Sequence, residues 1–194
     1  RQLDDARQKF LELERRPVTD FTAPARYSIG YIYYERKDFR EALEWFEKAS
    51  ADRRFAEISN YYIMECRFML GDYKYVASNG DVMFDAVPDD RKSHLARIIS
   101  ESWLVLGDAE NARKYYELGV STGDAPDSRT DWFYSGSVLY AVKDYEGAIR
   151  SFSNMSERMD SLGQVANYHL GYSYIQTRNK VAALDAFKDA AQVW

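Results

Sequence analysis

The chain has 194 residues, 46% of them hydrophobic and 29% charged, with a formal net charge of −5. No Lys/Arg-rich run gives the footprint of a nucleic-acid binder, and no stretch approaches the about 20 apolar residues of a membrane-spanning helix. One cysteine, Cys66, excludes an intramolecular disulfide framework, and four prolines with ten glycines are too few for a disordered, linker-rich chain.

Residues 1–16 predict a helix with Leu3, Ala6, Phe10 and Leu13 on one face. Pro17 to Thr22 reads as a turn, and Pro24 suits the first turn of the helix that follows. Tyr27 to Ala49 predicts a helical hairpin. Gly30, Tyr33, Ala42, Phe46 and Ala49 are separated by steps of 3, 9, 4 and 3. Two helices joined by a tight turn approach closely only where residues are small, and the large rings fill the space beside them. Lys37-Asp38 marks the turn, with Asp38 as N-cap of the second helix and Glu41 completing a capping box.

Similar turns recur at Asp72-Tyr73, Asp108-Ala109 and Asp144-Tyr145, at offsets of 34, 36 and 36. Gly171, Tyr174, Ala183, Phe187 and Ala190 repeat the steps 3, 9, 4 and 3. Ala6, Phe10 and Leu13 lie 36 residues before Ala42, Phe46 and Ala49, so residues 1–22 read as the second helix of a unit whose first helix is missing. The second hairpin is degenerate, with Met64, Arg67, Val76, Gly80 and Met83 at the pattern positions. A glycine within a helix costs about 1 kcal/mol against alanine, so Ser78 to Asp81 reads either as a kink or break, or as simple drift of the pattern. The third unit carries Ser100, Trp103, Ala112, Tyr116 and Gly119, and the fourth Gly136, Leu139, Ala148 and Phe152. Between them, Ser121 to Ser128 is a turn cluster, and Ser128 with Asp131 forms a capping box. The apolar Val193 and Trp194 supply no polar cap, so both ends read as cuts through a longer array, or as faces that pack on another copy.

This spacing resembles the tetratricopeptide repeat, a helix–turn–helix unit of about 34 residues that needs neighbours to bury its open face. The resemblance implies an all-α, right-handed α-solenoid of antiparallel helix pairs over residues 1–194. Its repeats are 23–56, 57–92, 93–128, 129–163 and 164–194. It further implies a non-catalytic scaffold that holds other proteins. The Tyr-rich repeats and Lys-Asp-Tyr turns are most similar to long bacterial proteins of the family, which leans towards a periplasmic or cell-envelope location.

In that family the first helices line a concave groove. The matching positions here are Tyr27, Tyr31, Tyr34 and Glu35; Tyr61, Glu65, Phe68 and Met69; His94, Arg97, Glu101 and Leu104; Phe133, Ser137 and Tyr140; and Tyr168, Tyr172 and Gln176. Tyrosine brings large apolar area at low entropic cost. The row therefore reads as a groove for a peptide or helix with apolar and basic side chains; the alternative for any one ring is packing between neighbouring helices. One subfamily clamps a C-terminal carboxylate with Lys, Asn and Arg. Here only Arg97 could do so, and Glu101 one turn away neutralises it, so that specificity is rejected.

No chemistry-bearing motif competes. His94 and His169 share no metal-ligand spacing, and Cys66 has no cysteine partner. Asp124, Asp127 and Asp131 lack the calcium-loop pattern. Asn154-Met155-Ser156 is a formal glycosylation sequon of a kind common by chance. No metal, cofactor or catalytic residue is implied. The rival readings are a structural spacer or self-assembly module, the regulatory domain of a larger enzyme, and a small-molecule site between aromatic walls.

Overall fold

The structure is a computed structural model that describes residues 5, 8–12, 19–123, 126, 128–155 and 160–192. The expectations resting on Leu3, Ala6, Leu13, Pro17, Asp124, Asp127, Ser156, Val193 and Trp194 lie outside the described residues. Ten helices follow residue 21 among the described residues: α1 (Thr22–Glu35), α2 (Phe39–Ser50), α3 (Ala56–Met69), α4 (Tyr73–Asp85), α5 (Lys92–Val105), α6 (Ala109–Thr122), α7 (Arg129–Ala141), α8 (Tyr145–Ser153), α9 (Ser161–Gln176) and α10 (Lys180–Ala191). A 3-10 turn, Asp89–Arg91, follows Pro88. The chain forms two compact units, Arg1–Ser102 and Trp103–Trp194.

Five hairpin turns are built alike. One residue just before the second helix takes a left-handed backbone: Lys37, Gly71, Gly107, Lys143 and Arg178, with φ from 63° to 83°. The next residue is the N-cap, and its amide donates to the carbonyl five residues back, as Asp38 N to Tyr33 O at 3.0 Å and Asn179 N to Tyr174 O at 2.8 Å. That bond satisfies carbonyls orphaned at the end of the first helix. The side chains of Asp72, Asp108, Asp144 and Asn179 then accept from amides in the first turn of the second helix.

Asp38 departs from this. It occupies the N-cap, but its carboxylate makes no capping bond, so the expected capping box with Glu41 does not form. Its backbone angles match those of Asp72, so the difference lies in the side chain alone. The box at Ser128 and Asp131 is present, with both reciprocal bonds. Gly80 neither breaks nor ends α4, which runs continuously from Tyr73 to Asp85 with Gly80 buried.

Within unit 1, α1 packs along α2 and α2 along α3; within unit 2, α7 packs along α8, α8 along α9 and α9 along α10. Ring and glycine meet at each regular hairpin: Gly30 faces Phe46, Gly136 faces Phe152 and Gly171 faces Phe187. Polar groups inside unit 2 are joined in a chain, Tyr116 Oη to Ser135 Oγ at 2.7 Å and Ser135 Oγ to Ser151 Oγ at 2.9 Å. Arg129 makes a two-pronged pair with Asp160 at 2.7 and 2.8 Å, tying the start of α7 to the cap of α9.

At Gly136 an added methyl would stand 2.6 Å from a Phe152 ring carbon. That ring is held in a cluster with Ala148 and Ala166 and has little room to retreat. Alanine gains about 1 kcal/mol in helix propensity, whereas overpacking costs about 1–3 kcal/mol. Gly136→Ala is expected to lose about 1 kcal/mol net in urea unfolding; a midpoint that stays or rises would show that the ring yields.

Candidate functional site

The aromatic residues of unit 1 gather where α1, α2 and α3 meet. On α1, Tyr27, Tyr31 and Tyr34 follow one another at helical spacing as a ladder of near-parallel rings. Their centroids are 6.4 and 6.3 Å apart with interplanar angles of 20° and 22°. Tyr27 and Tyr34 are half-buried, and Tyr31 between them is 39% exposed. The ladder is braced from behind by Tyr62 of α3. Its ring lies flat on Phe46 at 4.8 Å and meets Tyr31 and Tyr34 edge-on at 5.7 and 5.0 Å.

A polar knot lies beside these rings. Glu65 is only 7% exposed, and its carboxylate accepts from Tyr34 Oη at 2.6 Å. His94 Nδ1 stands 3.2 Å from the other Glu65 oxygen and 3.1 Å from Tyr61 Oη. A buried carboxylate is costly unless it is paired and hydrogen-bonded, and the phenol and imidazole answer that need. Burial and the Glu65 charge push the Tyr34 and Tyr61 phenols well above the usual range. Arg91 lies over the Tyr61 ring at 5.3 Å. Burial pushes the Cys66 thiol up to about 12, which keeps it protonated and unreactive.

Of the remaining predicted positions of unit 1, Phe68, Arg97 and Glu101 are half-buried, whereas Glu35 and Met69 are exposed. Phe68 meets Tyr73 edge-on at 5.6 Å. Arg97 and Glu101 pair with each other at 2.8 Å.

In unit 2, Tyr140 stacks on His169 at 4.4 Å and meets Tyr172 at 5.8 Å. Phe133 lies 6.1 Å from Phe152 and packs on the Ala148–Phe152–Ala166 cluster. Tyr168 and Tyr172 are 54% and 37% exposed. Two rings that the positional pattern passes over prove central, Tyr62 and His169. Both stand two residues before the small-residue position of their helix, Met64 and Gly171, and both lie against the ring of the preceding hairpin. That offset was the available signal. Among the described residues, no group of three or more His, Cys, Asp or Glu could hold a metal ion, and no helix is long and apolar enough to cross a membrane.

Residues 23–50 match the family described as Tetratricopeptide repeat. The fold is similar to that of MamA, residue 41 to end, from Desulfovibrio magneticus RS-1, with a TM-score of 0.70 and 16% identity over 91% of this chain and 97% of that one. It is also similar to BtubC from P. vanneervenii, with a TM-score of 0.67 and 14% identity over 99% of this chain and 88% of that one. At these identities the likeness is one of fold. No curated protein matches the chain.

Two outcomes follow from the buried polar groups. Tyr34→Phe removes a bond to a buried carboxylate and is expected to cost about 1–3 kcal/mol in urea unfolding. Tyr31→Phe, at the open ring, serves as the reference with little change. Equal midpoints would show that Glu65 does not depend on the phenol. Burial also lowers the pKa of His169, so the folded chain prefers the neutral ring. Its contribution to stability is full above about pH 6.5, the ordinary imidazole value, and falls as the pH drops below that. The stability of wild type relative to His169→Phe is expected to decline with acid over that window; a pH-independent difference would contradict it.

Proposed function

From the premise that this is a tetratricopeptide-repeat protein, we propose that it is a non-catalytic scaffold that holds a peptide or helix of a partner protein on its aromatic faces. The observation that carries this reading is the Tyr27–Tyr31–Tyr34 ladder. Its outer rings are packed, its middle ring is open, and Tyr62 holds it from behind. A ring already fixed in place loses little entropy when a partner covers it, which is the character of an interface hot spot. The tetratricopeptide match at residues 23–50 supports the same class of work, since the ladder lies within it.

Each unit has its own binding face, which takes in Tyr27, Tyr31, Tyr34, Tyr61, Glu65, Phe68, Arg97 and Glu101 in unit 1, and Phe133, Tyr140, Tyr168 and Tyr172 in unit 2. Their roles differ. Tyr31, Tyr168 and Tyr172 offer open ring surface; Tyr61 and Glu65, both buried, set the ladder's shape from beneath. Arg97 is engaged by Glu101, and Glu35 is exposed beside Tyr31. The open surface therefore favours apolar and basic side chains over a carboxylate. The repeats serving this purpose are 23–56, 57–92, 93–128, 129–163 and 164–194.

The test pairs wild type with Tyr31→Ala/Tyr172→Ala as baits in a pull-down from the source cell, followed by direct titration of what is captured. The double variant is expected to keep its helicity and lose at least about tenfold in affinity, the scale of a hot-spot ring. A partner held equally by both baits would move the interface off these rings. Lost helicity would make the rings core instead.

A further inference from the structure

One cation of unit 1 stands outside the balance that favours basic side chains. Arg91 ends the 3-10 turn after Pro88, and its guanidinium lies over the Tyr61 ring, 5.3 Å from the centroid. Tyr61 meets Tyr62 edge-on at 5.1 Å, and Tyr62 meets Tyr31 edge-on at 5.7 Å and Tyr27 at 6.0 Å. A continuous set of rings thus joins Arg91 to the ladder. The guanidinium is weakly engaged. Its ion pair, with the neighbouring Asp90, is 3.6 Å long, too long for a hydrogen bond, and the Arg91 side chain is 42% exposed. Arg67 and Arg97, by contrast, close on carboxylates at 2.9 and 2.8 Å, and Lys92 on Asp89 at 2.7 Å. Glu65, beneath the ladder, bonds Tyr34 and faces His94. Stacking on a ring holds the Arg91 head in place without neutralising it.

An opposite charge stands beyond the open ring. Glu35 follows Tyr31 by one turn of α1 and is exposed. The Tyr31 phenol registers both groups: Glu35 beside it pushes its pKa up, and Arg91 pulls against that. Burial raises the Tyr27 phenol, one turn before Tyr31, and Arg91 opposes the rise there too. The open ring of the ladder therefore lies between a cation and an anion. From Tyr27 to Glu35 the helix advances about 12 Å. An extended peptide covers that distance in about four residues, and its alternate side chains face one way.

We propose that Arg91 and Glu35 set the specificity of the unit 1 face, which takes an extended segment of a partner protein carrying an acidic side chain, an aromatic ring and a basic side chain at alternate positions. The acid pairs with Arg91, the ring covers Tyr31, and the base pairs with Glu35. The ring contact supplies the attraction through buried area. The two charges fix which way the segment lies and which segments are refused. This inference rests on the ladder being a binding face and adds what that face selects.

A displayed library of random nine-residue peptides is panned against the whole protein and against Arg91→Glu, Arg91→Lys, Glu35→Lys and Tyr31→Ala. The wild type is expected to enrich peptides with Asp or Glu two positions to one side of an aromatic residue and Lys or Arg two positions to the other. Arg91→Glu should exchange the acidic position for a basic one, Arg91→Lys should keep it, and Glu35→Lys should turn the basic position acidic. A synthetic peptide of the enriched pattern should bind Arg91→Glu at least about threefold more weakly than wild type. Were Arg91 there only to hold Tyr61, its loss would weaken all peptides alike and leave the acidic preference in place. If aromatic peptides are enriched without an acidic position, or if that position survives Arg91→Glu, the inference fails and the ladder remains a binding face. Spacings of three and four residues in place of two would make the bound segment a helix and overturn the extended form. If the enriched peptides lack an aromatic residue, or are the same for Tyr31→Ala, the ladder reading fails and this inference with it. An absence of any enrichment overturns both.

Discussion

An aromatic ring laid across a glycine is the contact on which each regular hairpin depends. Phe46, Phe152 and Phe187 reach within 3.0 Å or less of where a Cβ would stand on Gly30, Gly136 and Gly171. No other residue type allows that approach without movement, so each pair fixes both the spacing and the rotation of its two helices. The alanines around the rings, such as Ala42, Ala49 and Ala148, keep the rest of the contact equally close. With the helices this near, the ring's outer face points away from its own hairpin. It is then available to the helix that comes next, and Tyr62 on Phe46 and His169 near Phe152 use it.

The polar groups drawn into this packing are satisfied in two ways. In unit 2 the hydroxyls of Tyr116, Ser135 and Ser151 bond one another across three helices, a neutral arrangement that costs little. In unit 1 a carboxylate is buried, and Glu65 draws Tyr34 and His94 to itself. That arrangement has a directional effect. The Tyr34 phenol is turned inward, which leaves Tyr31 as the ring of the ladder with its surface free. A charge placed beneath an aromatic row thus decides which of its members faces solvent.

Much of the hairpin plan was legible in the sequence, because its determinants are local. Gly30 to Phe46 and Gly171 to Phe187 carry the same intervals, and the turn residues stand at fixed offsets. The box at Ser128 and Asp131 is likewise a matter of neighbours three apart. What could not be read depends on rotamers or on distant partners. Asp38 has the right residue type and backbone for a cap, yet its side chain leaves the amides alone. Gly80 has the composition of a break, but its burial in α4 outweighs its weak propensity. Glu65 is of a residue type that water ordinarily solvates, and only the meeting of α1, α3 and α5 reveals that its carboxylate is covered. Tyr62 was hidden for a simpler reason: it serves the hairpin before its own, so a pattern drawn within one hairpin does not contain it.

The turns impose a reading frame on the array. Each occupies the same length, at 36–38, 70–72, 106–108, 142–144 and 177–179, and each places its left-handed residue just ahead of the cap. One residue added there would rotate the second helix by about 100° and carry its alanine stripe off the facing ring. The connections between hairpins, 51–55, 86–91, 123–128 and 154–160, range from five to seven residues. A whole hairpin is therefore the unit that can be exchanged, duplicated or deleted as a cassette, with its joints in those connections. A graft cut at a turn would lose the phase of everything after it.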